Sequence, residues 1–328
     1  MISTKAIDCR TIGSFFGVSG KKLQRQYKDY LSDFKEWGQL NHAKDWLLFP
    51  QNMGSRLSID EVALSQGELY TVLTNKKAKG RAGSIVAIIE GTKTDKVIKH
   101  LSQLPHHQRR RVKEITLDMA PTMKLIARTC FTKAIQVIDR FHVQKLAFEA
   151  MQEIRIKHRW EAIDQENEAI LLTRNMGKEY TAEALLTGDT RKQLLARSRY
   201  LLYKSRDKWT MNQKIRAQVL FKEYPEIEDA YKLTQELREF FNTRTGKGVA
   251  LTKLAHWYDK VEKSGFKSFN TIMNTIKINY DGIVNYFIDR STNASAESFN
   301  AKIKAFRSQF RGVRNVEFFL FRLTQIYA

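Results

Sequence analysis

Apolar and polar positions group into three successive stretches rich in β-forming residues, Leu57-Ser-Ile-Asp60-Glu-Val-Ala-Leu64, Glu68 to Thr74 and Ser84 to Glu90, the last an unbroken apolar run over Ile85 to Ile89. Short segments of such composition bounded by turn residues predict strands. Gln66-Gly67 and a Lys/Gly loop from Asn75 to Gly83 separate them, so three antiparallel strands in succession are expected. Val97, Ile98 and Leu101 then share one face at helical spacing across Lys93 to Leu104, and Pro105 ends that helix. Two short apolar strands follow, Val112 to Asp118 and Ala134 to Asp139, with a helix over 121 to 130 between them.

The order β-β-β-α-β-α-β, then helix, is that of an α/β ribonuclease-H-like core built on a mixed five-stranded sheet. Asp60 falls within the first strand and Asp118 ends the fourth; in that fold these strands are neighbours. From Val143 to Asp289 strand signals almost vanish and helical periodicity takes over, over 163–172, 180–187, 191–203, 210–224, 226–242, 251–263 and 269–287. This stretch reads as a large all-α insertion. A helix from Ser291 to about Ser308 carries Glu297, Asn300, Ala301 and Lys304 on one face and Phe299, Ile303, Phe306 and Phe310 on the other. An apolar helix over Val316 to Tyr327 closes the chain.

Ahead of the strands, Thr11 to Phe16 and Lys21 to Lys28 form two short helices about a Gly17-Val-Ser-Gly20 turn, with Ser19 as cap. The second bears Lys21, Lys22 and Arg25, side chains that reach phosphates and base edges in a helix-turn-helix; a plain helical hairpin is the other reading. Residues 34 to 55 look like a connector that packs Trp37 and Trp46 on something larger. Four parts are therefore expected: 1–50, helix-turn-helix and connector; 51–150, first part of the core; 151–290, the insertion; 291–328, helices that complete the core.

Charge narrows the partners. Against 56 Lys+Arg stand 35 Asp+Glu, a net charge of +21, which favours a polyanion and nucleic acid first. Arg191, Lys192, Arg197, Arg199, Lys204 and Arg206 cluster with Tyr200, Tyr203 and Trp209 interleaved, a combination suited to a nucleic-acid backbone with stacked bases, or else a solvated basic face over core aromatics. Lys304, Arg307, Arg311 and Arg314 add a late basic group. Cys9 and Cys130 have no CxxC or nearby Cys/His partner, so neither a zinc finger nor a disulfide framework is indicated. No apolar run approaches membrane-span length and the first residues lack a signal-peptide pattern, so a soluble, cytoplasmic, nucleoid-associated protein is expected.

Strand-end acids are site candidates in an open α/β sheet, although Asp118, three residues before Pro121, would also serve as a helix cap, and Glu297 alone reads as an exposed helical glutamate. Asp60, Asp118 and a third carboxylate from a late helix would make an oxygen-only site for two Mg²⁺ or Mn²⁺ ions, able to promote in-line attack on a phosphodiester.

The same residues resemble a family, the bacterial DDE transposases of the insertion-sequence L-three type. The likeness rests on Leu57-Ser-Ile-Asp60-Glu61 with Ala63, on Thr116-Leu-Asp118-Met-Ala-Pro121, and on Ile138-Asp139-Arg140-Phe141-His142-Val143 with Lys145. It continues through Ile283 to Phe287, Thr292-Asn293 to Glu297, Asn300-Ala-Lys302-Ile-Lys304, Gly312, Arg314-Asn315 and Phe318. The resemblance implies Asp60, Asp118 and Glu297 as the metal-binding triad, with Asp139, His142 and Asn300 as supporting residues; for Asp139 and His142 a purely structural role is the alternative. It implies strand cleavage at element ends and strand transfer to target DNA, by a homodimer or larger assembly on double-stranded DNA. Members often carry a cysteine-rich zinc-binding region ahead of the helix-turn-helix, which this chain lacks at its start, so a separate polypeptide supplying it is a further expected partner. A catalytically inactive, transposase-derived DNA-binding protein and a structure-selective nuclease on the same fold are the rivals.

Overall fold

Two short helices open the chain, each where a side chain can take up loose backbone N–H groups. Asp8 accepts from Thr11 N at 2.9 Å ahead of α1 (Cys9–Phe15), and Ser19 accepts from Lys22 N at 3.4 Å ahead of α2 (Gly20–Gln26). The two cross so closely that a Cβ on Gly13 would stand 2.4 Å from the Val18 carbonyl oxygen, and one on Gly20 2.5 Å from Arg10 Cα. This computed structural model describes residues 1–65, 68–310, 313 and 315–328. The expected turn at Gln66-Gly67, and Arg311, Gly312 and Arg314, lie outside the described residues.

The expected connector contains a strand, β1 (Trp46–Leu48). It is followed by β2 (Arg56–Ser65), β3 (Glu68–Asn75), β4 (Ile85–Glu90), α3 (Thr94–Leu101), α4 (His106–Arg109), β5 (Glu114–Leu117), α5 (Pro121–Cys130) and β6 (Ile135–Ile138). Among the described residues the sheet has six strands, in the order β1-β4-β3-β2-β5-β6, where five were expected. The extra strand is only three residues long and runs into Phe49-Pro50, too short to display alternation, and it sits at the sheet edge where a nearby proline costs no ladder bond. β1 to β4 pair antiparallel, while β5 lies parallel to both β2 and β6.

Next come α6 (Arg140–Asn175), α7 (Arg191–Arg197), α8 (Met211–Glu223), α9 (Pro225–Asn242), α10 (Lys247–Ser264), α11 (Lys267–Ile278), α12 (Tyr280–Asp289), α13 (Ala294–Gln309) and α14 (Val316–Tyr327). The chain divides into two compact units, Met1–Asp139 with Asp289–Ala328, and Arg140–Ile288.

In the first unit α13 and α14 cover one sheet face. Phe299, Ile303, Phe306, Phe319, Leu320 and Leu323 pack on Val62, Leu64, Tyr70, Val72 and Ile88. α14 also anchors the N-terminal segment. Tyr27 and Phe34 pack on Phe318 and Phe321, and Trp37 meets Phe321 edge-on at 5.4 Å. The fully buried Arg322 lies 5.5 Å from the Tyr27 and Phe306 ring centres and donates to the Ile7 carbonyl at 3.1 Å. Cys9 and Cys130 are buried free thiols whose pKa burial raises, for Cys130 to about 11.

In the second unit α7, α9 and α11 pack on α6. Four expected helices differ there, the one over 191–203 ending as α7 at Arg197 with only a 3-10 turn at Leu201–Tyr203 beyond it. The one over 163–172 is the tail of the 36-residue α6. The one over 269–287 is two helices, broken at Asn279, whose side chain turns back onto the Thr275 carbonyl at 2.6 Å. Residues 180–187 form no helix: their helix-favouring side chains are mostly exposed and lack an apolar face to bury, without which propensity alone does not hold a short helix. The chain runs instead to the buried Asp189, which takes Arg197 and Arg216. Burial alone would raise the Asp189 pKa, but those two guanidinium groups hold it below the usual carboxylate value. No helix among the described residues is long and apolar enough to cross a membrane.

Candidate active site

The site begins with strand register. Ser58 on β2 pairs with Thr116 on β5, and side chains alternate, so two residues further on Asp60 and Asp118 come level on the same face of neighbouring parallel strands, about 5 Å apart at the backbone. Leu117 pairs with Ile138 on β6, which brings Asp139 level with Asp118 in turn. Asp60, midway along β2, thus stands beside Asp118 and Asp139, which directly follow the ends of β5 and β6.

Each is held differently. Asp60 Oδ1 accepts from the Glu61 backbone N–H at 2.8 Å, and its Oδ2 accepts from Asn300 Nδ2 at 2.7 Å. Asp118 Oδ1 accepts from Ala120 N at 2.9 Å, turning the chain into α5 with Pro121 in its first turn. Asp118 is thus the turn residue ahead of α5 and not its cap, a place held by Ala120 without a side-chain bond to the helix. Asp139 is buried, and its Oδ1 accepts from Asn293 N at 3.4 Å.

α13 lies across these strand ends, pinned twice. Ser58 Oγ donates to Asn293 Oδ1 just before the helix, and Asn300 reaches Asp60 two turns along it. Glu297 stands one turn after Asn293 and one turn before Asn300, so its Cα is carried within about 6 Å of helix rise of either pin. Its side chain lies on the exposed rim of the packed face. Among the described residues no three His, Cys, Asp or Glu side chains are gathered closely enough to grip a metal ion. What the fold sets is the backbone placement of the acids; crowded carboxylates repel one another when no cation stands between them.

The donor chemistry nevertheless suits a hard divalent cation, because every candidate ligand is a carboxylate oxygen. Another acid, Glu61, follows Asp60 directly on β2. Burial, and after it the charges of Asp118 and Asp60, push the Glu61 carboxyl above its usual range.

A polar network beneath the site was not foreseen. Lys76, after β3, donates to Glu114 (3.0 Å), Thr116 (2.7 Å) and Ser291 (2.6 Å), and Ser291 also donates to Glu114. Burial draws the Lys76 pKa down, although Glu114 works in the opposite direction. This network ties β3, β5 and the segment leading into α13 to one buried charge pair. The sequence signals available were slight: an acid inside an apolar strand, Glu114, and a serine at a helix approach.

The remaining candidates are spread over both units. His142 lies in the first turn of α6 and meets Phe141 edge-on at 5.8 Å. Lys21, Lys22 and Arg25 are exposed on α2. The basic run of the second unit is partly neutralised from within: Arg191 pairs with Glu223, Lys192 with Glu166, Arg197 with Asp189 and Arg206 with Glu228. Arg199 lies over the Tyr200 ring, and Lys204 donates to Gln213. Lys304 is exposed on α13, whereas Arg307 donates to the Ala63 carbonyl at 2.8 Å. Arg311 and Arg314 fall outside the described residues.

Residues 57–323 match the DDE transposase family of the ISL3 type, described as a transposase. The chain is similar to the transposase for insertion sequence element IS1001 of Bordetella parapertussis, 25% identical over 270 residues that make up 81% of this chain and 59% of that protein. It thus spans less than two thirds of that relative's length. No solved structure matches.

Proposed function

The chain belongs to the DDE transposases of the ISL3 type, and from that premise we propose that it is a DNA transposase acting through Asp60, Asp118 and Glu297. It hydrolyses a phosphodiester at each end of its element and joins the freed 3′-hydroxyls to target DNA. The observation that carries this reading is the pairing of two register-matched aspartates on neighbouring strands with a helix pinned across them at Asn293 and Asn300.

In this reading the sheet with its covering helices is a ribonuclease-H-like core, α1 and α2 are a helix-turn-helix, and the helices after α6 begins are an insertion. The four parts are then 1–50, 51–150, 151–290 and 291–328. Asp60, Asp118 and Glu297 hold two Mg²⁺ or Mn²⁺ ions, which when bound supply Lewis acidity and neutralise charge at the attacked phosphate. Asn300 and the Glu61 N–H orient the Asp60 carboxylate from two sides, and Asn293 joins Asp139 to Ser58 so that α13 keeps its place. The oxygen of water, and later of the 3′-hydroxyl, attacks phosphorus in line as the bond to the leaving oxygen breaks. Lys21, Lys22 and Arg25, and the basic residues of the second unit and α13, hold DNA backbone. Working on two ends, the protein acts as a dimer or larger assembly on double-stranded DNA, at the nucleoid.

The test is a labelled duplex carrying an element end. Wild type with Mg²⁺ should nick it and form strand-transfer products, and Asp118→Asn should lose both by at least about 10³-fold while still binding the duplex. Binding without nicking in the wild type would show a catalytically inactive derivative. Cleavage of branched DNA with no dependence on the element end would show a structure-selective nuclease.

A further inference from the structure

In the second unit a cleft of 650 Å³ opens between α8 and the short turn at Arg206–Lys208, a size within the range of small-ligand sites. Its lining includes two aromatic side chains, Trp209 and Phe221, whose ring centres lie 6.2 Å apart. Both are braced: Trp209 Nε1 donates to the Leu201 carbonyl at 2.8 Å and its ring packs on Tyr231 at 5.4 Å, while Phe221 meets Tyr231 at 5.6 Å. Arg206 lies over the Phe221 and Tyr231 rings and is held there by Glu228 at 2.9 Å. From α8, Lys214, Gln218 and Lys222 line the same cleft at spacings of four, one helix face. Neither lysine makes an ion pair among the described residues.

We infer that this cleft binds a single unstacked nucleotide, its base against Trp209 and Phe221 and its phosphate on Lys214 and Lys222. A flat aromatic surface offers stacking to any base, the Gln218 amide can both donate to and accept from a base edge, and two uncommitted ammonium groups suit a phosphate. A base within a duplex already stacks on its neighbours, so only an unpaired or extruded one can enter. The inference rests on the DNA-acting reading for the strand as the nucleotide's source; a free mononucleotide has the same chemistry, and the test separates the two.

The full chain is titrated against a duplex carrying one unpaired 2-aminopurine nucleotide, against the same duplex without the bulge, and against free dAMP. Wild type should prefer the bulged duplex by about tenfold, with a change in probe fluorescence, and Phe221→Leu should erase most of that preference while leaving flush-duplex binding as it was. Lys214→Ser with Lys222→Ser, two surface positions, gives a second reading should Phe221→Leu fail to fold, and should likewise reduce the preference. Saturable dAMP binding that Phe221→Leu abolishes, without a bulge preference, would keep the nucleotide site and assign it to free nucleotide. Equal binding of both duplexes with no dAMP binding overturns the inference and leaves the transposase reading intact. Failure to bind either duplex while dAMP binds would overturn that reading and keep the site.

Discussion

Asp60 illustrates how much a single carboxylate depends on its neighbours. One oxygen is fixed by the backbone of the next residue and the other by an amide arriving from α13, so the group is oriented before any ligand comes. Lys76 does comparable work one layer below, where a single ammonium satisfies Glu114, Thr116 and Ser291 in a buried setting. Lys76→Met should leave Glu114 as an uncompensated buried charge and cost about 3 kcal/mol in chemical denaturation. Lys76→Met with Glu114→Leu should recover most of that loss, since an apolar pair of similar volume needs no counter-charge; a double variant as unstable as the single would contradict the charge-pair account. The two aspartates could be picked out in the sequence because Asp60 is an acid within an apolar, β-forming stretch and Asp118 directly follows another, ahead of Pro121. Lys76, Ser58 and Asn293 were not, because their roles arise from register between segments far apart along the chain, which local pattern does not encode.

At the scale of elements, the strands β2 to β4 could be read from β-forming composition between turn residues, and the final two helices and the α1–α2 pair from helical period and capping residues. Those which escaped lacked local signal. β1 is too short to alternate, residues 180–187 have helix-forming composition without a surface to pack on, and the α11–α12 break depends on one asparagine side chain. The α1–α2 crossing makes a sharp prediction, since the space between the helices is filled by backbone on both sides. Gly20→Ala should push α2 off α1 and destabilise the N-terminal segment by about 2 kcal/mol, visible as earlier loss of protection in hydrogen exchange over residues 9–26. In the DNA-binding reading it should also weaken duplex binding. Unchanged exchange in that segment would contradict the close crossing.

For the whole molecule the decisive quantities are charge and the placement of acids. With a net charge of +21 spread along 328 residues, the proposed association with duplex DNA should be strongly salt-dependent. Contacts to several phosphates should cost about 10³-fold in affinity between about 50 mM and 200 mM salt, and a change under about tenfold would mean that few phosphates are engaged. Part of the basic excess in the second unit is already spent on Glu166, Asp189, Glu223 and Glu228, so the slope should fall short of what a count of lysines and arginines suggests. The candidate acids lie elsewhere, Asp60 midway along β2 and Asp118 just past the end of β5.

Whether those acids share one cation site is tested most directly by Mn²⁺ binding followed by electron paramagnetic resonance on the full chain and on Asp60→Asn, Asp118→Asn and Glu297→Gln. The account predicts Mn²⁺ uptake by the wild type and a loss of about tenfold or more in affinity for each variant, Glu297→Gln included. Glu297→Gln binding Mn²⁺ as tightly as the wild type, while the two aspartate variants lose it, would contradict a site shared by all three.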